Sequence, residues 1–324
     1  MNPDATMWDA IIVGGGPAGL SAAVYLGRAR RRTLLLHSGH SMAKWELEVQ
    51  NYLGFPQGIA GTDLLERGLA QVVRYGVDVI EDTVASVMVA EPFRLAGCET
   101  RYEGKRVLLA TGLTHLPPDI PGVKDCLGHS LFFCKDCDAY RVQGRRIAII
   151  GRNNEAAEYA LGMLAFSSSV TICTNGEPLT WDARHAAWLQ EYGVSVWSPR
   201  IGTVDHEGGS IRSFTLESGQ QLMVDAAFTT RGDLPHNGLA AQAGAALNEE
   251  GQVMVDHCMQ TTVPGLYAAG CLTPANCQMI IAAGQGAIAG QAINRSLFEE
   301  SVSRHALPTR GVTMDGVESR GSMG

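Results

Sequence analysis

The stretch that decides the fold is Gly14-Gly15-Gly16-Pro17-Ala18-Gly19, which separates the apolar run 10–13 from the helix-forming run 20–26. A further apolar run follows at 33–36. This order predicts a strand, a glycine turn, a helix and a second strand, which together form a βαβ unit in a parallel sheet. Gly14 allows the tight bend, Gly16 lets a pyrophosphate approach the backbone, and Gly19 lets the helix pack closely on the strand. The stretch therefore predicts a dinucleotide-binding site at the start of the helix.

The same pattern occurs a second time along the chain. Residues 146–151 predict another strand and glycine turn, followed by a helix from about Glu155 and a strand at 170–172. Residues 107–112 and 266–270 are short apolar runs that end in glycine, and they predict two further strands that complete the first unit. We therefore predict an α/β protein with two Rossmann-like dinucleotide-binding domains, the second inserted into the first. The expected boundaries are 1–116 and 248–304 for the first domain, 117–247 for the inserted domain, and 305–324 for a loose C-terminal tail.

Composition and charge narrow the class of protein. The 324 residues include 25 basic and 33 acidic side chains, which gives a net charge of −8. This balance argues against nucleic acid as the main partner, because phosphate binding needs a positive surface. No apolar run reaches the roughly 18 residues that span a membrane, and the N-terminus lacks the basic and apolar regions of a signal peptide. We therefore expect a cytoplasmic protein with no membrane partner, whose eight cysteines stay reduced unless a pair is redox-active.

The segment Cys134-Lys135-Asp136-Cys137 predicts redox chemistry, because two thiols at this spacing close a short disulfide and readily form thiolates. Half of a zinc site is one alternative, and it needs a second CxxC or a histidine pair. The cysteines at 98, 126, 173, 258, 271 and 277 form no CxxC, so we predict no metal site. Two unrelated buried cysteines are the other alternative. Asp138 follows directly and is a candidate acid–base group, although taken alone it is equally a helix cap.

Several motifs occur in the order and at the separations found in low-molecular-weight thioredoxin reductases, which the chain resembles over about residues 8–298. They are Gly14 to Gly19, Glu48-Val49-Gln50-Asn51-Tyr52, Ala110-Thr111-Gly112, Cys134-x-x-Cys137-Asp138, Gly265-Leu266-Tyr267-Ala268-Ala269-Gly270, Gln278 and Ala282-Ala283-Gly284. The resemblance implies a homodimeric flavoprotein disulfide oxidoreductase. It implies that Cys137 lies against the flavin, that Cys134 attacks a thioredoxin-like or other disulfide partner, and that Asp138 is the acid–base residue.

The resemblance also assigns an FAD site to the first domain. The matching positions are Gly14, Gly16, Pro17, Ala18, Gly19, His37, Ser38, Asn51, Val84, Thr111, Gly112, Gly270, Cys271, Gln278, Met279 and Ile280. The acid usually expected about 20 residues after the glycine loop is missing, and His37 and Ser38 would hold the adenosine ribose instead. Cys271 and Cys277 stand where the family has an aspartate and an arginine. These changes weaken one flavin contact but leave the pyrophosphate site intact, so we expect FAD to bind.

The second glycine loop departs from the family pattern of Gly-x-Gly-x-x-Ala. Asn153 replaces the glycine that a pyrophosphate must approach, and Glu155 adds a carboxylate where a phosphate would lie. The family's His-Arg-Arg clamp for the 2′-phosphate is absent, and the local sequence ends in Glu177 instead. Because arginine is suited to clamping phosphate, its loss predicts that NADPH is not a cofactor. The alternative is that the chain binds NADH, with Glu177 holding its ribose. Asn153 and Glu155 argue against this alternative.

With these motifs missing, the sequence resembles a branch of the family that works without pyridine nucleotides. This branch is the diflavin-linked disulfide oxidoreductases of photosynthetic prokaryotes. That resemblance implies up to two FAD per chain, with the second FAD replacing nicotinamide in the electron path. We therefore expect a homodimer whose first flavin is covered by a second FAD or by an aromatic lid. The candidate lid residues are Tyr25, Trp45, Tyr52 and Phe55, each of which has ordinary packing as its alternative role.

Two rival hypotheses have different electron partners. A ferredoxin-linked thioredoxin reductase shares the same losses and would dock an acidic ferredoxin on a basic patch. Arg28, Arg30, Arg31 and Arg32 form a candidate patch, although a solvated helix end explains them as well. The second rival is a flavin-binding redox sensor, which would keep the FAD loop while its CxxC changed state without rapid turnover.

Overall fold

Both predicted βαβ units are present in the computed structural model, which describes residues 7–307. The predicted C-terminal tail lies outside the described residues from position 308 onward. The strands are β1 (Met7–Val13), β2 (Thr33–His37), β3 (Asp78–Glu81), β4 (Ser86–Met88), β5 (Phe93–Ala96), β6 (Arg101–Leu109), β7 (Leu113–His115), β8 (Leu131–Phe132), β9 (Ile147–Ile150), β10 (Val170–Cys173), β11 (Ser195–Trp197), β12 (Ile201–Glu207), β13 (Ser210–Leu216), β14 (Gln221–Met223), β15 (Ala226–Thr229), β16 (Asp233–Pro235) and β17 (Leu266–Ala268). The helices are α1 (Pro17–Arg28), α2 (Gly61–Arg74), α3 (Lys135–Asp138), α4 (Asn154–Met163), α5 (Ala183–Glu191), α6 (Gly238–Gln242) and α7 (Met279–Ser303). No helix within residues 7–307 is long and apolar enough to cross a membrane.

The first domain is built on a seven-stranded sheet in the order β3-β2-β1-β6-β5-β4, with β17 paired to the end of β6. Strands β1, β2, β3, β6 and β17 are parallel, whereas β4 and β5 form an antiparallel extension. Helices α1, α2 and α7 bury Leu26, Val72 and Ile293 on one face of the sheet. The parallel strands are apolar on both faces, as expected for a sheet with a core on each side. The sequence prediction for this unit is confirmed.

Small residues hold α1 and α7 against each other. A Cβ added to Gly286 would lie 2.0 Å from the carbonyl oxygen of Ala18, and one added to Gly290 would lie 3.0 Å from that of Ala22. The two helices therefore approach as closely as their backbones permit. This contact fixes the beginning of α7 beside the beginning of α1, where the first glycine loop lies.

The inserted domain contains a five-stranded parallel sheet in the order β11-β10-β9-β15-β8. Helices α4 and α5 cover one face, with Ala157, Met163 and Leu189 in the core. The antiparallel strands β12, β13 and β14 pack over the other face through residues such as Phe214. The second predicted unit is therefore also present, with β9, α4 and β10 at the expected positions.

Two short antiparallel strands, β7 and β16, connect the domains. The chain returns to the first domain directly after β16, because Leu239 and Ala240 of α6 and the nearby Ala245 pack into the core of the first sheet. The sequence placed this return at residue 248. Residues 236–247 form a short segment without a clear apolar periodicity, so the sequence did not indicate to which domain the segment belongs. We therefore place residues 236–247 with the first domain.

Candidate active site

One cavity of about 870 Å³ lies at the carboxyl ends of the parallel strands of the first domain and reaches the CxxC segment of the inserted domain. It brings together most of the residues that the sequence selected for cofactor binding and catalysis. These are Gly14, Gly16, Pro17, Ala18, His37, Ser38, Asn51, Val84, Thr111, Gly112, Cys134, Cys137, Asp138, Gly270, Cys271, Gln278 and Met279. Gly19 and Ile280 are not among its lining residues within 7–307. Gly19 lies underneath instead, where a Cβ would meet the carbonyl oxygen of Gly14 at 1.9 Å.

The first glycine loop leaves the beginning of α1 open toward the cavity. Gly14 has a φ of +121°, and a Cβ there would lie 2.1 Å from the carbonyl oxygen of Ala110. Gly16 is the N-cap residue, and no side chain of the described chain caps the helix. A Cβ on Gly16 would meet only the Ser41 hydroxyl, at 3.6 Å. The backbone N–H groups of α1 are therefore available to an anion such as a pyrophosphate.

Cys134 and Cys137 form a disulfide at the start of the short helix α3. The Cys137 backbone N–H donates to the Cys134 sulfur over 3.1 Å. Gln278, which directly precedes α7, places its Nε2 3.2 Å from the Cys134 sulfur and 3.3 Å from the Cys137 sulfur. Asn51 donates from Nδ2 to the Gln278 oxygen at 2.8 Å, which fixes the orientation of the glutamine. Two residues predicted to bind FAD therefore also hold the redox pair.

Asp138 is buried beside the disulfide with an exposed fraction of 2%. Its Oδ1 accepts from Arg141 at 2.9 Å, and its Oδ2 has no hydrogen-bond partner within residues 7–307. The pKa of Asp138 is raised to about 7, mainly by burial and in addition by the nearby Glu46 carboxylate, while Arg141 opposes the rise. A carboxyl group that titrates near neutral pH is suited to moving a proton at the adjacent sulfur. This geometry favours the acid–base interpretation of Asp138 over the helix cap.

Aromatic rings line the cavity next to the disulfide. Phe133 stacks on the His115 imidazole with 4.8 Å between ring centroids, and Trp45 lies 6.1 Å from Phe133. Of the four aromatic residues selected from the sequence, Trp45 is the one that lines the cavity, and Tyr25, Tyr52 and Phe55 do not among the described residues. His115 and Phe133 were not selected. The signal for Phe133 was its position directly before Cys134, whereas His115 lies on the connecting strand β7 and had no local signal.

A second disulfide joins Cys271 and Cys277, with 4.8 Å between their Cα atoms. Both residues line the cavity. From the sequence we expected the cysteines to stay reduced unless a pair is redox-active, and the only pair we selected was Cys134 and Cys137, so the bond between Cys271 and Cys277 was not predicted. The loop between β17 and α7 returns on itself and brings the two sulfurs together. The other four cysteines, Cys98, Cys126, Cys173 and Cys258, are free thiols.

The second glycine loop differs from the first in its helix start. Asn153 is the N-cap residue of α4, and its Oδ1 accepts from the Ala156 N–H at 3.1 Å. Glu155 lies in the first turn, where burial raises the pKa of its carboxyl group and the carboxylates of Asp233 and Glu158 add to the rise. The start of α4 is thus occupied by polar groups of the chain itself.

Comparison with known proteins identifies the family. The profile of the pyridine nucleotide-disulphide oxidoreductases matches residues 8–288. The chain belongs to this family. Its fold and its CxxC disulfide make it a thioredoxin reductase-like flavoprotein disulfide oxidoreductase. Membership implies FAD as a cofactor, and the open start of α1 over the Gly14–Gly19 loop fits the pyrophosphate of that group.

Several relatives of this oxidoreductase are thioredoxin reductases by name. The thioredoxin reductase of Bacillus subtilis is 28% identical over 305 residues, covering 90% of this chain and 96% of the relative. That of Treponema pallidum is 30% identical over 299 residues, covering 89% and 96%. The crystal structure of HlmI matches with a TM-score of 0.86 at 29% identity, covering 92% of this chain and 95% of that chain.

Proposed function

We propose that this enzyme exchanges electrons between FAD and the Cys134–Cys137 pair, and between that pair and a thioredoxin-like thiol or disulfide protein, without using NADPH. The observation that carries the proposal is the contrast between the two helix starts. Helix α1 has Gly16 as its N-cap residue and uncapped N–H groups, whereas the N-cap residue of α4 is Asn153, whose side chain accepts from the Ala156 N–H. A dinucleotide needs those N–H groups for its pyrophosphate, so the first site fits one and the second does not.

The surroundings of α4 support the same conclusion. The Thr180 N–H donates to the Arg152 carbonyl at 2.8 Å, and the Asp182 N–H donates to the Asn154 side chain at 2.8 Å. The segment that follows β10 is therefore folded back onto the beginning of α4. In an NADPH-binding domain this segment would bind the adenosine ribose and its phosphate.

The charges near this segment also oppose a nicotinamide dinucleotide. Glu177 forms ion pairs with Arg152 at 2.9 Å and with Arg231 at 2.6 Å. Each guanidinium group is thereby held by the same carboxylate, which leaves both less available to clamp a 2′-phosphate. The Glu177 oxygens are equally engaged, so they are poorly placed to accept hydrogen bonds from the ribose of NADH. These contacts favour a route without either nucleotide.

FAD, when bound, supplies two-electron chemistry next to the disulfide. On the protein side, we propose that Cys137 faces the cofactor and that Cys134 reacts with the partner. A Cys134 thiolate attacks the partner disulfide and releases one partner thiolate, and the Cys137 thiolate then displaces the second and restores the Cys134–Cys137 bond. Both electrons pass to the partner, and the reverse sequence oxidises a partner dithiol. Asp138, with its pKa of about 7, gives a proton to the Cys137 sulfur when the disulfide opens.

We propose a thiol or disulfide protein as the partner, in keeping with the names of the thioredoxin reductase relatives. The ferredoxin alternative depends on the arginines at and just after the end of α1, and three of these contact other residues of the chain. Arg28 lies over Tyr75, Arg31 donates to Asn294 at 2.7 Å, and Arg32 lies over Trp8. These partners are neutral and leave the positive charges of the arginines in place, so our preference for a thiol or disulfide protein rests on the names of the relatives.

The remaining features of the diflavin-linked branch are also proposals. We propose that the enzyme is a homodimer and that a second FAD covers the first. One FAD beneath the Trp45, His115 and Phe133 rings is the alternative arrangement. The flavin content per chain, measured with the protein mass in solution, distinguishes two FAD from one and a dimer from a monomer.

Anaerobic titration with dithiothreitol tests disulfide–flavin exchange directly. We expect the wild-type flavin absorbance to bleach rapidly on rapid mixing, because the dithiol enters through Cys134 and Cys137. The variant Cys134→Ser/Cys137→Ser should bleach at least about tenfold more slowly, and Cys98→Ser/Cys258→Ser, which removes two cysteines that do not line the cavity, should match the wild type. Equal rates in the first variant and the wild type would contradict the proposal. Slow bleaching in all three proteins would favour the redox sensor.

A further inference from the structure

The reaction proposed above uses one disulfide, and the cavity contains two. Cys271 and Cys277 lie on the loop between β17 and α7, and both line the cavity that Cys134 and Cys137 line. If this disulfide served only to stabilise the fold, the conformation of its loop should depend on the bond. The hydrogen bonds of the loop indicate that it does not.

The loop is anchored without its disulfide. The Thr273 hydroxyl donates to the Gly270 carbonyl at 2.9 Å, and the Gln285 side chain accepts from the Gly270 N–H at 2.8 Å. The Val253 N–H donates to the carbonyl of Leu272, a residue with no exposed surface, at 2.8 Å. Because the two cysteines are only six positions apart, their bond constrains the unfolded chain less than a bond across a long loop. Opening the disulfide therefore leaves the loop held in place.

The surroundings of the pair favour reactivity. Cys277 lies two residues before Met279, the first residue of the 25-residue helix α7, whose start has no side-chain cap among the described residues. The positive end of that helix stabilises a thiolate nearby. Cys271 and Cys277 are half-buried, and Pro274 and Asn276 between them are exposed. The pair is therefore accessible both from the cavity and from the loop surface.

Gln278 links the two disulfides. It directly follows Cys277 in the chain, and its Nε2 lies 3.2 Å from the Cys134 sulfur and 3.3 Å from the Cys137 sulfur. Gln278 is thus bonded through its backbone to Cys277 of one disulfide, and its side-chain amide contacts both sulfurs of the other. The two pairs lie on adjoining parts of one cavity wall.

We propose that Cys271–Cys277 is a second redox-active disulfide, which exchanges its electron pair with Cys134 and Cys137. This inference rests on the proposed function, which supplies the Cys134/Cys137 dithiol. A thiolate of that dithiol attacks one sulfur of Cys271–Cys277 and forms a mixed disulfide, releasing the other sulfur as a thiolate. The second thiolate of the dithiol then closes the Cys134–Cys137 bond. Cys271 and Cys277 end as a dithiol after gaining two electrons and two protons, and the reverse reaction returns them.

Thiol trapping in redox buffers tests the proposal. The holoenzyme is equilibrated anaerobically across ratios of reduced to oxidised dithiothreitol, quenched in acid and alkylated, and each cysteine peptide is quantified by mass spectrometry. We expect Cys271–Cys277 to become half-reduced within about a hundredfold of the ratio that half-reduces Cys134–Cys137. If Cys271–Cys277 stays oxidised beyond that range while Cys134–Cys137 is fully reduced, it is a structural disulfide and the proposal is wrong. If Cys134–Cys137 also resists reduction, both this inference and the proposed function fail.

The rate of reduction tests the exchange step itself. In the Cys134→Ser/Cys137→Ser variant, Cys271–Cys277 loses the neighbouring dithiol, and we expect dithiothreitol to reduce it about tenfold more slowly or worse, because an intramolecular thiol acts at a high effective concentration. The Cys98→Ser/Cys258→Ser control should reduce at the wild-type rate. An unchanged rate in the first variant would contradict exchange between the pairs.

Discussion

Asn153 and Ala156 are joined by a hydrogen bond that closes the beginning of α4, with 3.1 Å between the Asn153 Oδ1 and the Ala156 nitrogen. At the corresponding place in the first domain, Gly16 has no side chain and leaves the beginning of α1 open. The residue at the N-cap thus makes the difference. With glycine the helix start can bind a phosphate, whereas with asparagine a backbone N–H of that start is already hydrogen-bonded within the chain. This difference underlies the proposal that the enzyme uses FAD and not NADPH.

The cap itself predicts a stability pattern. Asn153→Ala removes the acceptor for the Ala156 N–H, and we expect a loss of about 1 kcal/mol in the free energy of unfolding, measured with urea. Asn153→Gly should lose only a few tenths of a kcal/mol, because glycine is also a favourable N-cap residue. If the glycine variant is as unstable as the alanine variant, Asn153 acts through some contact other than the cap.

Asp138 predicts a pH dependence of stability. Its folded-state pKa of about 7 lies above the ordinary value of 3.8, so between these pH values the folded protein holds a proton that the unfolded chain has released. Its contribution therefore favours the folded state less as pH rises through this range. Asp138→Asn removes the titration, so between about pH 5 and about pH 8 the variant should gain on the order of 2–3 kcal/mol relative to the wild type.

Urea unfolding at both pH values measures this gain, and Asp136→Asn is the matched control. The Asp136 carboxylate is exposed and pairs with Lys135 at 2.7 Å. Its removal should leave the pH dependence as in the wild type. A wild-type slope in Asp138→Asn would mean that the Asp138 carboxyl group is ionised in the folded protein well below neutral pH.

The two cysteines of the CxxC pair should differ in absorbance. Cys134→Ser leaves Cys137 as a thiolate beside the oxidised flavin, and we expect a long-wavelength charge-transfer band in the visible spectrum. Cys137→Ser should show no such band if, as we propose, Cys134 reacts with the partner and only Cys137 faces the flavin. Spectra of the two holoproteins at the same pH make the comparison, and identical spectra would show that the roles are wrongly assigned.

Local spacing was enough to predict the two βαβ units and the open site at Gly14–Gly19. The turn geometry, the uncapped helix and the apolar strands are all properties of short contiguous segments. The same holds for the departures at Asn153 and Glu155, because the sequence alone shows that the glycine is missing. The hydrogen bond that the Ala156 N–H donates to the Asn153 Oδ1 gives the physical basis for the proposal that this site is closed to a dinucleotide.

Contacts between distant segments were not predictable in this way. Gln278 reaches Cys134 across 144 positions, and Phe133 stacks on His115 of the connecting strand β7. Cys271 and Cys277 form a disulfide because their loop turns back over Thr273, and a spacing of six matches no redox motif. The first two contacts depend on how distant segments pack together, whereas the disulfide depends on the turn of its own loop; sequence spacing alone specifies neither.

Rapid mixing of the anaerobic holoenzyme with NADPH at micromolar concentration tests the central claim most directly, with flavin absorbance as the signal and NADH as a parallel sample. Because Asn153 closes α4 and Glu177 occupies Arg152 and Arg231, we expect very slow bleaching by either nucleotide. Dithiothreitol should bleach the same sample rapidly. Fast bleaching by NADPH would contradict the account and place the enzyme among the NADPH-dependent thioredoxin reductases.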